Sequence, residues 1–142
     1  MEEKYNEATM NRPEGARVLD APLVKMDVYE YIQQLKNEAA WQKNDRNGIT
    51  LYKTDGMRIV LVIMHTGAEM RPQTVDGIIS FHVLEGGLQI ETQDETTNVE
   101  SGQILTLHSN IKHSVRAAEQ TTFILTMTNE NYGQSAYKYF PI

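Results

Sequence analysis

From Gly48 to Thr128 the sequence is a series of short runs rich in isoleucine, valine, leucine, threonine and aromatic residues. The runs are ITLYKT, MRIVLVIMH, GIISFHVLE, LQIETQ, QILTLH, HSVRA and TTFILTMT. The breaks between them fall at Gly67, Gly77, Gly86, Gly87 and Gly102 and at the polar segments QDETTN and SNIK. Runs of this kind predict β-strands, and their regular spacing predicts an antiparallel sandwich or barrel.

Length and charge narrow the class of protein further. A chain of 142 residues suits one domain with a core of its own. The formal net charge of -6 repels phosphate backbones, so we expect no nucleic-acid partner. No run approaches the roughly 18 apolar residues of a membrane-spanning helix, so we expect no membrane partner.

The sequence contains no cysteine. Disulfides, thiolate catalysis and cysteine-bound zinc are therefore excluded together. The absence of cysteine fits a reducing compartment, and the first residues, MEEKYNEATMNRPEGARVLD, contain no apolar signal segment. We therefore expect a cytoplasmic protein.

The N-terminal third of the sequence has a different residue pattern. Residues 1 to about 16 are polar and predicted to be loose until they dock, and RVLDAPLV is predicted to form a short extended arm. A short N-terminal helix follows, because Asp27 and Glu30 have the spacing of a capping box. Its apolar residues, at helical spacing, are Val28, Tyr31, Ile32, Leu35 and Ala39.

The turn segment KNDRNG is predicted to end this helix. We therefore divide one folded domain into an arm and helix, residues 1–47, and a β-barrel, residues 48–142. The C-terminal segment SAYKYFPI is predicted to be an edge strand or to lie across the barrel.

Two of the segments bounded by glycines have residues at the spacing of a known sequence motif. Gly102 precedes the run QILTL, a polar break contains His108 and Asn110, and His113 begins the next run. This order resembles the second motif of the cupin superfamily: glycine, five residues, proline, one residue, glycine, two residues, histidine. Here His108 stands at the proline position and Asn110 at the second glycine position. Asparagine is the best non-glycine residue where φ is positive, so we expect the turn to survive.

The segment GAEMRPQTVDGIISFHVLEGG resembles the first cupin motif, which reads glycine, five residues, histidine, one residue, histidine, three or four residues, glutamate, six residues, glycine. Gly67 and Gly86 bound it. Gln73 and Val75 take the two histidine positions, and Ile79 takes the glutamate position. The resemblance covers roughly residues 57 to 128. It implies an all-β, cupin-type antiparallel β-barrel, that is, a jelly roll of two packed sheets, and it implies pairing as a homodimer.

The resemblance also implies where a metal would bind in a related protein. Carried over by position, the ligand set here is Gln73, Val75, Ile79 and His113, and valine and isoleucine have no donor atom. One imidazole and one amide make a weak metal site. We therefore predict no cofactor and a degenerate metal site. A divalent metal would require His113 together with His108, His65 or Glu69.

Three hypotheses of function follow from these residues. The first is a metal-free small-molecule-binding barrel of unknown ligand, whose pocket is formed by Gln73, Val75, Ile79, Phe81 and His113. In it, His113 is hydrogen-bonded, with Gln73 as the candidate partner, at the polar end of an apolar pocket. The second is a metal-dependent cupin enzyme of dioxygenase or isomerase type. The third is a structural or interaction homodimer with a filled barrel. No catalytic residue is assigned, and the sequence leaves open whether the chain is an enzyme.

Overall fold

The computed structural model describes residues 4–6 and 17–129. The strands, in chain order, are β1 (Lys4–Asn6), β2 (Arg17–Asp20), β3 (Arg46–Lys53), β4 (Met57–Met64), β5 (Glu69–Gln73), β6 (Ile79–Glu85), β7 (Gly87–Thr92), β8 (Thr96–Glu100), β9 (Ile104–Leu107), β10 (His113–Ala117) and β11 (Thr121–Thr128). The helices α1 (Val28–Asn37) and α2 (Ala39–Lys43) lie between β2 and β3. Within these ranges no helix is both long enough and apolar enough to cross a membrane.

Nine of these strands form two sheets. One sheet has four strands in the order β5-β10-β7-β8, and the other has five in the order β3-β4-β11-β6-β9. Every strand pair in both sheets is antiparallel. Strands adjacent in the chain repeatedly belong to different sheets, as β6 and β7 do. The predicted jelly roll of two packed antiparallel sheets is confirmed.

The main core lies between the two sheets and follows from strand alternation. In β6, Ile79, Phe81 and Val83 are buried, whereas Ser80 and His82 on the other face are half-buried. The buried side chains of both sheets form one cluster, whose members are Val62, Met64, Ala68, Ile79, Phe81, Val83, Leu88, Ile90, Val99, Val115, Ala117, Phe123 and Leu125. Alternate residues of each strand face this cluster because successive side chains point to opposite faces.

A second core lies on the outer face of the five-stranded sheet, where the two helices pack. Leu35 of α1 and Trp41 of α2 are buried against Leu61 and Ile63 of β4. Strand β4 is therefore covered on both faces, since its other side chains belong to the core between the sheets. This double burial explains the continuous apolar run IVLVIM that follows the exposed Arg58, because a strand segment with no solvent-facing side has no polar alternation.

The helix begins where the sequence predicts and ends differently. Asp27 caps α1, and its carboxylate accepts a hydrogen bond from the Glu30 amide at 3.1 Å. The predicted helix is present but divided in two, because Glu38 leaves the helical conformation and separates α1 from α2. The side chain of Asn47 donates to the Leu35 carbonyl and to the Glu38 carboxylate, both at 3.0 Å. These bonds from β3 satisfy the end of α1 and tie the break to the sheet.

Replacing Asp27 with alanine tests the cap. We expect the free energy of unfolding to fall by about 1 kcal/mol, the usual cost of removing an N-cap oxygen. Urea denaturation followed by circular dichroism measures this change. Asp27→Asn is the matched control, because its side-chain oxygen still accepts the Glu30 amide hydrogen. An alanine variant as stable as the parent would show that α1 is held by packing alone.

Besides β1, which lies in the segment predicted to be loose, the strands that the sequence did not predict are β5 and β8. Both lie at the edges of the four-stranded sheet. Their residues are mostly exposed and polar, so neither has the apolar alternation of the predicted runs. Part of QDETTN, predicted as a break, is in fact strand β8. Strand β5 contains Pro72, a residue tolerated in sheets at an edge.

Other predictions concern the ends of the chain. The arm RVLDAPLV begins with strand β2, which pairs with β1 of the same chain. The barrel begins at Arg46 in β3, two residues before the predicted division at residue 48. The segment SAYKYFPI lies outside the described residues, so its predicted position stays a prediction.

Candidate functional site

Five strands bring the predicted pocket residues to one end of the sandwich. Strand β5 ends at Gln73 and β10 begins at His113, and these two residues are partners in the register. Strand β6 begins at Ile79, which is paired with Leu107 of β9 and with Met127 of β11. Short connections join β5 to β6 and β9 to β10. We call this region the His113 end.

The loop between β9 and β10 sets the position of His113. Asn110 has a φ of 65°, the left-handed conformation predicted for it at the second glycine position of the motif. Its backbone amide donates to the Val75 carbonyl at 2.9 Å, which ties this loop to the connection between β5 and β6. The turn therefore places His113 at the first residue of β10, facing the core.

The His113 side chain is buried with one ring nitrogen paired and the other unpaired. It is 2% exposed. Its Nδ1 lies 2.9 Å from the Ile111 carbonyl oxygen. A carbonyl oxygen only accepts, so Nδ1 carries the hydrogen, and in the neutral ring Nε2 holds a lone pair. That Nε2 atom is buried and has no hydrogen-bond partner within the described part of the chain.

The surroundings of this imidazole are apolar. The Phe81 ring meets it edge-on, with the ring centroids 5.8 Å apart and an interplanar angle of 77°. Ile79 and Phe81 are buried in the core between the sheets. Apolar side chains that are only partly buried pack against that core, and they are Val60, Met70, Val75, Leu105, Leu107 and Met127. Val75, Leu107 and Met127 lie at the His113 end, where they form an apolar rim.

The predicted hydrogen bond between Gln73 and His113 is wrong. The two residues are opposite each other in the register, but Gln73 is exposed, and the partner of the imidazole is the Ile111 carbonyl. Thr92, the register partner of His113 on β7, donates its hydroxyl hydrogen to the Glu95 carbonyl instead. Sequence reasoning missed Ile111, because a backbone carbonyl leaves no signature in residue type.

The histidine His65 lies in a different part of the molecule. Its ring stacks on Trp41, with centroids 3.4 Å apart and an interplanar angle of 11°. Its Nε2 lies 2.9 Å from the Trp41 carbonyl oxygen. Nearby, Arg46 Nε donates a hydrogen bond to Asp45 Oδ1 at 2.9 Å, and this bond lowers the pKa of Asp45. His65 therefore belongs to the helix-covered outer layer, away from His113.

Glu69 and His108, the other two residues predicted as alternative metal ligands, also lie away from the His113 imidazole. Glu69 is exposed and pairs with Arg116 on the outer face of the four-stranded sheet, at 3.8 Å. His108 is exposed in the turn that follows β9. Among the residues described, no group of three or more histidine, aspartate or glutamate side chains is placed to hold a metal ion. The donor set at the His113 end does not fit a first-row metal, because Val75 and Ile79 offer no donor atom.

A groove of about 210 Å³ lies next to the His113 end. It is lined by residues 54–58, Asp76 and residues 127–129. Met127 contributes both to this groove and to the apolar rim. The groove is open and lined by both polar and apolar side chains, whereas the His113 imidazole lies within the core.

Comparison with solved structures identifies the fold. A cupin-2 domain protein from Shewanella frigidimarina matches with a TM-score of 0.60 and 15% identity, covering 73% of this chain and 94% of that one. A cupin superfamily protein from Desulfitobacterium hafniense matches with a TM-score of 0.59 and 15% identity, covering 61% and 80%. An RmlC-like cupin from Methanocaldococcus jannaschii, described as a double-stranded β-helix, matches with a TM-score of 0.56 and 14% identity, covering 63% and 85%. No family model and no curated protein matches the sequence.

Proposed function

We propose that this chain, which has the cupin fold, is a metal-free small-molecule-binding barrel whose ligand contacts His113. The observation that carries the proposal is the buried Nε2 atom of His113 without a hydrogen-bond partner among the described residues. An unsatisfied buried polar group costs about 1–3 kcal/mol, and native structures contain few of them. A ligand that pairs with Nε2 removes this cost.

The apolar rim supports the same proposal. Small-molecule sites are mostly apolar, with a few fixed polar groups that orient the ligand. At the His113 end the imidazole is the fixed polar group, since the Ile111 carbonyl and the Phe81 ring hold its orientation. Met127 of the rim is half-buried, as is Met70 opposite Val115, and methionine adapts to ligands of different shape.

A fragment screen tests the proposal. A panel of small uncharged aromatic and aliphatic compounds is added to the protein, and thermal unfolding and amide chemical shifts are recorded. We expect binders to shift the amides of Gln73, Val75, Ile79 and His113. Saturation at 100 times Kd adds about 2.7 kcal/mol of stability. A panel that shifts no amide at this end contradicts the proposal, and so does stoichiometric metal, measured by ICP-MS, that is lost in a His113 variant.

The variant His113→Phe separates a binding role from a structural role. It removes the unpaired nitrogen and keeps a ring, at the loss of one hydrogen bond worth about 1 kcal/mol. We expect the free energy of unfolding to stay equal or rise by about 1 kcal/mol, while fragment binding at the His113 end is lost. Chemical denaturation and the fragment screen measure the two effects.

The matched control is His108→Phe, the same substitution at an exposed position five residues earlier. We expect it to change the free energy of unfolding by no more than about 0.5 kcal/mol and to leave fragment binding intact. If His113→Phe instead loses about 2 kcal/mol or more, the imidazole stabilises the barrel and the binding role is contradicted.

A further inference from the structure

We infer that the ligand of the His113 end is an uncharged molecule that presents a hydrogen-bond donor, such as a hydroxyl, to Nε2 from an apolar body. This inference rests on the proposed function and specifies the chemistry of its ligand. Its basis is the state of the imidazole. The 2.9 Å contact to the Ile111 carbonyl requires the hydrogen on Nδ1, so Nε2 of the neutral ring is an acceptor.

An acceptor in this position selects among ligand groups. A ligand hydroxyl or N–H pairs with the lone pair, whereas an ether, ester or carboxylate oxygen faces it with a second lone pair. The ligand group that contacts Nε2 is therefore a donor. A site with a fixed polar group discriminates against an analogue that leaves this group unpaired.

The charges around β10 indicate that this donor is neutral. Glu69 and Glu91 are the carboxylates paired with β10 in the register, and their partners are Arg116 and Ser114. Arg116 and Ser114 alternate with the buried His113 and so lie on the outer face of the sheet. Neither carboxylate therefore faces the imidazole. Asp76, in the connection between β5 and β6, is exposed, so a ligand ammonium buried against Nε2 would have none of these three carboxylates as a buried counter-charge, at high cost.

The neighbouring side chains define the rest of the ligand. Phe81 contacts the ring from the core side, and Val115, two residues along β10, is buried beside it. Partly buried Val75 and Met70 pack against the same core, and Met70 is opposite Val115 in the register. These side chains offer only apolar contacts, so the body of the ligand next to its donor group is aromatic or aliphatic.

Phenol, anisole and benzoate test the inference, because they share a ring and differ in the group offered to Nε2. Binding is measured from the amide shifts of the His113 end and from the imidazole ¹⁵N shifts of His113. In the ligand-free protein we expect the neutral tautomer with the hydrogen on Nδ1. Phenol is expected to bind about tenfold more tightly than anisole, the ratio for one neutral hydrogen bond. In His113→Phe the binding of phenol at this end is expected to be lost.

Each other outcome has a distinct meaning. Anisole or benzoate binding at the His113 end as tightly as phenol overturns the inference and leaves the proposed function standing. A ligand-free imidazole with its hydrogen on Nε2 overturns it in the same way. If none of the three probes shifts an amide or the imidazole at this end, the proposed function itself fails and the inference fails with it.

Discussion

Replacing Gly86 with alanine is expected to lower the free energy of unfolding by about 3 kcal/mol or more. Gly86 has a φ of 90°, a conformation that costs an L-residue about 1–2 kcal/mol. An added Cβ would also overlap the Gln120 carbonyl oxygen and lie 2.7 Å from Thr121 Oγ1. Both neighbours belong to a rigid part of the fold, so neither is free to move.

The rigidity comes from the hydroxyl of Thr121. Its Oγ1 accepts the Gly87 amide hydrogen at 3.0 Å, and the hydroxyl lies 2.9 Å from the Gly87 carbonyl and 2.7 Å from the Glu119 carbonyl. Thr121 is fully buried. Gly86 therefore passes next to backbone that is already held from both sides, and the chain has no room for a side chain there.

The control for Gly86→Ala is Gly102→Ala. Gly102 has nearly the same φ, 84°, but an added Cβ would meet no atom within 4 Å. We expect it to lose only the conformational cost, about 1–2 kcal/mol. Urea titration of both variants measures the difference, which isolates the steric part. Equal losses in the two variants would mean that the backbone around Gln120 relaxes and that only φ matters.

Replacing Phe81 with alanine is expected to lower the free energy of unfolding by about 3–5 kcal/mol, as for other large buried aromatic residues. Phe81 is fully buried between the sheets, where it contacts the His113 ring and lies 6.1 Å from the Phe123 ring, centroid to centroid. Its removal leaves a cavity next to the imidazole. Because the cavity is lined by apolar side chains, it is expected to bind a small apolar molecule.

Benzene provides the sharper measurement of this variant. We expect saturating benzene to raise the melting temperature of Phe81→Ala more than that of the parent. The control is Ile104→Ala, since Ile104 is 61% exposed and its loss is expected to cost no more than about 0.5 kcal/mol. A Phe81→Ala variant that is destabilised without any response to benzene would indicate that the two sheets collapse onto the missing ring.

Comparison of sequence and structure shows where local patterns are sufficient. The run TTFILTMT coincides with strand β11 (Thr121–Thr128), and HSVRA coincides with β10. Asn110 has the positive φ predicted from its place in the motif. The cap at Asp27 is present as predicted. Each of these features depends on residues within a few positions of one another, so the residue types nearby are enough to specify it.

Edge strands and the points where the chain crosses between sheets could not be predicted from nearby residue types. The pair Gly86-Gly87 was predicted only as a break between strands, and the chain passes there from the five-stranded to the four-stranded sheet. A tight turn and a crossing need the same backbone freedom, so the glycines alone do not distinguish them. Strands β5 and β8 were missed because a polar edge strand has no apolar alternation. Such a strand is held by hydrogen bonds to its single neighbouring strand.

The state of the candidate site was decided only by the tertiary structure. The sequence predicted that His113 faces a mainly apolar interior and that Val75 and Ile79 offer no metal donor. It did not predict that the Ile111 carbonyl orients the imidazole, that Gln73 turns to solvent, or that His65 stacks on Trp41. Strand runs and turns depend on residues that are neighbours along the chain, so the order of residue types is enough to predict them. The partner of a buried side chain is set by which strands become neighbours, and that follows only from the packing of the whole domain.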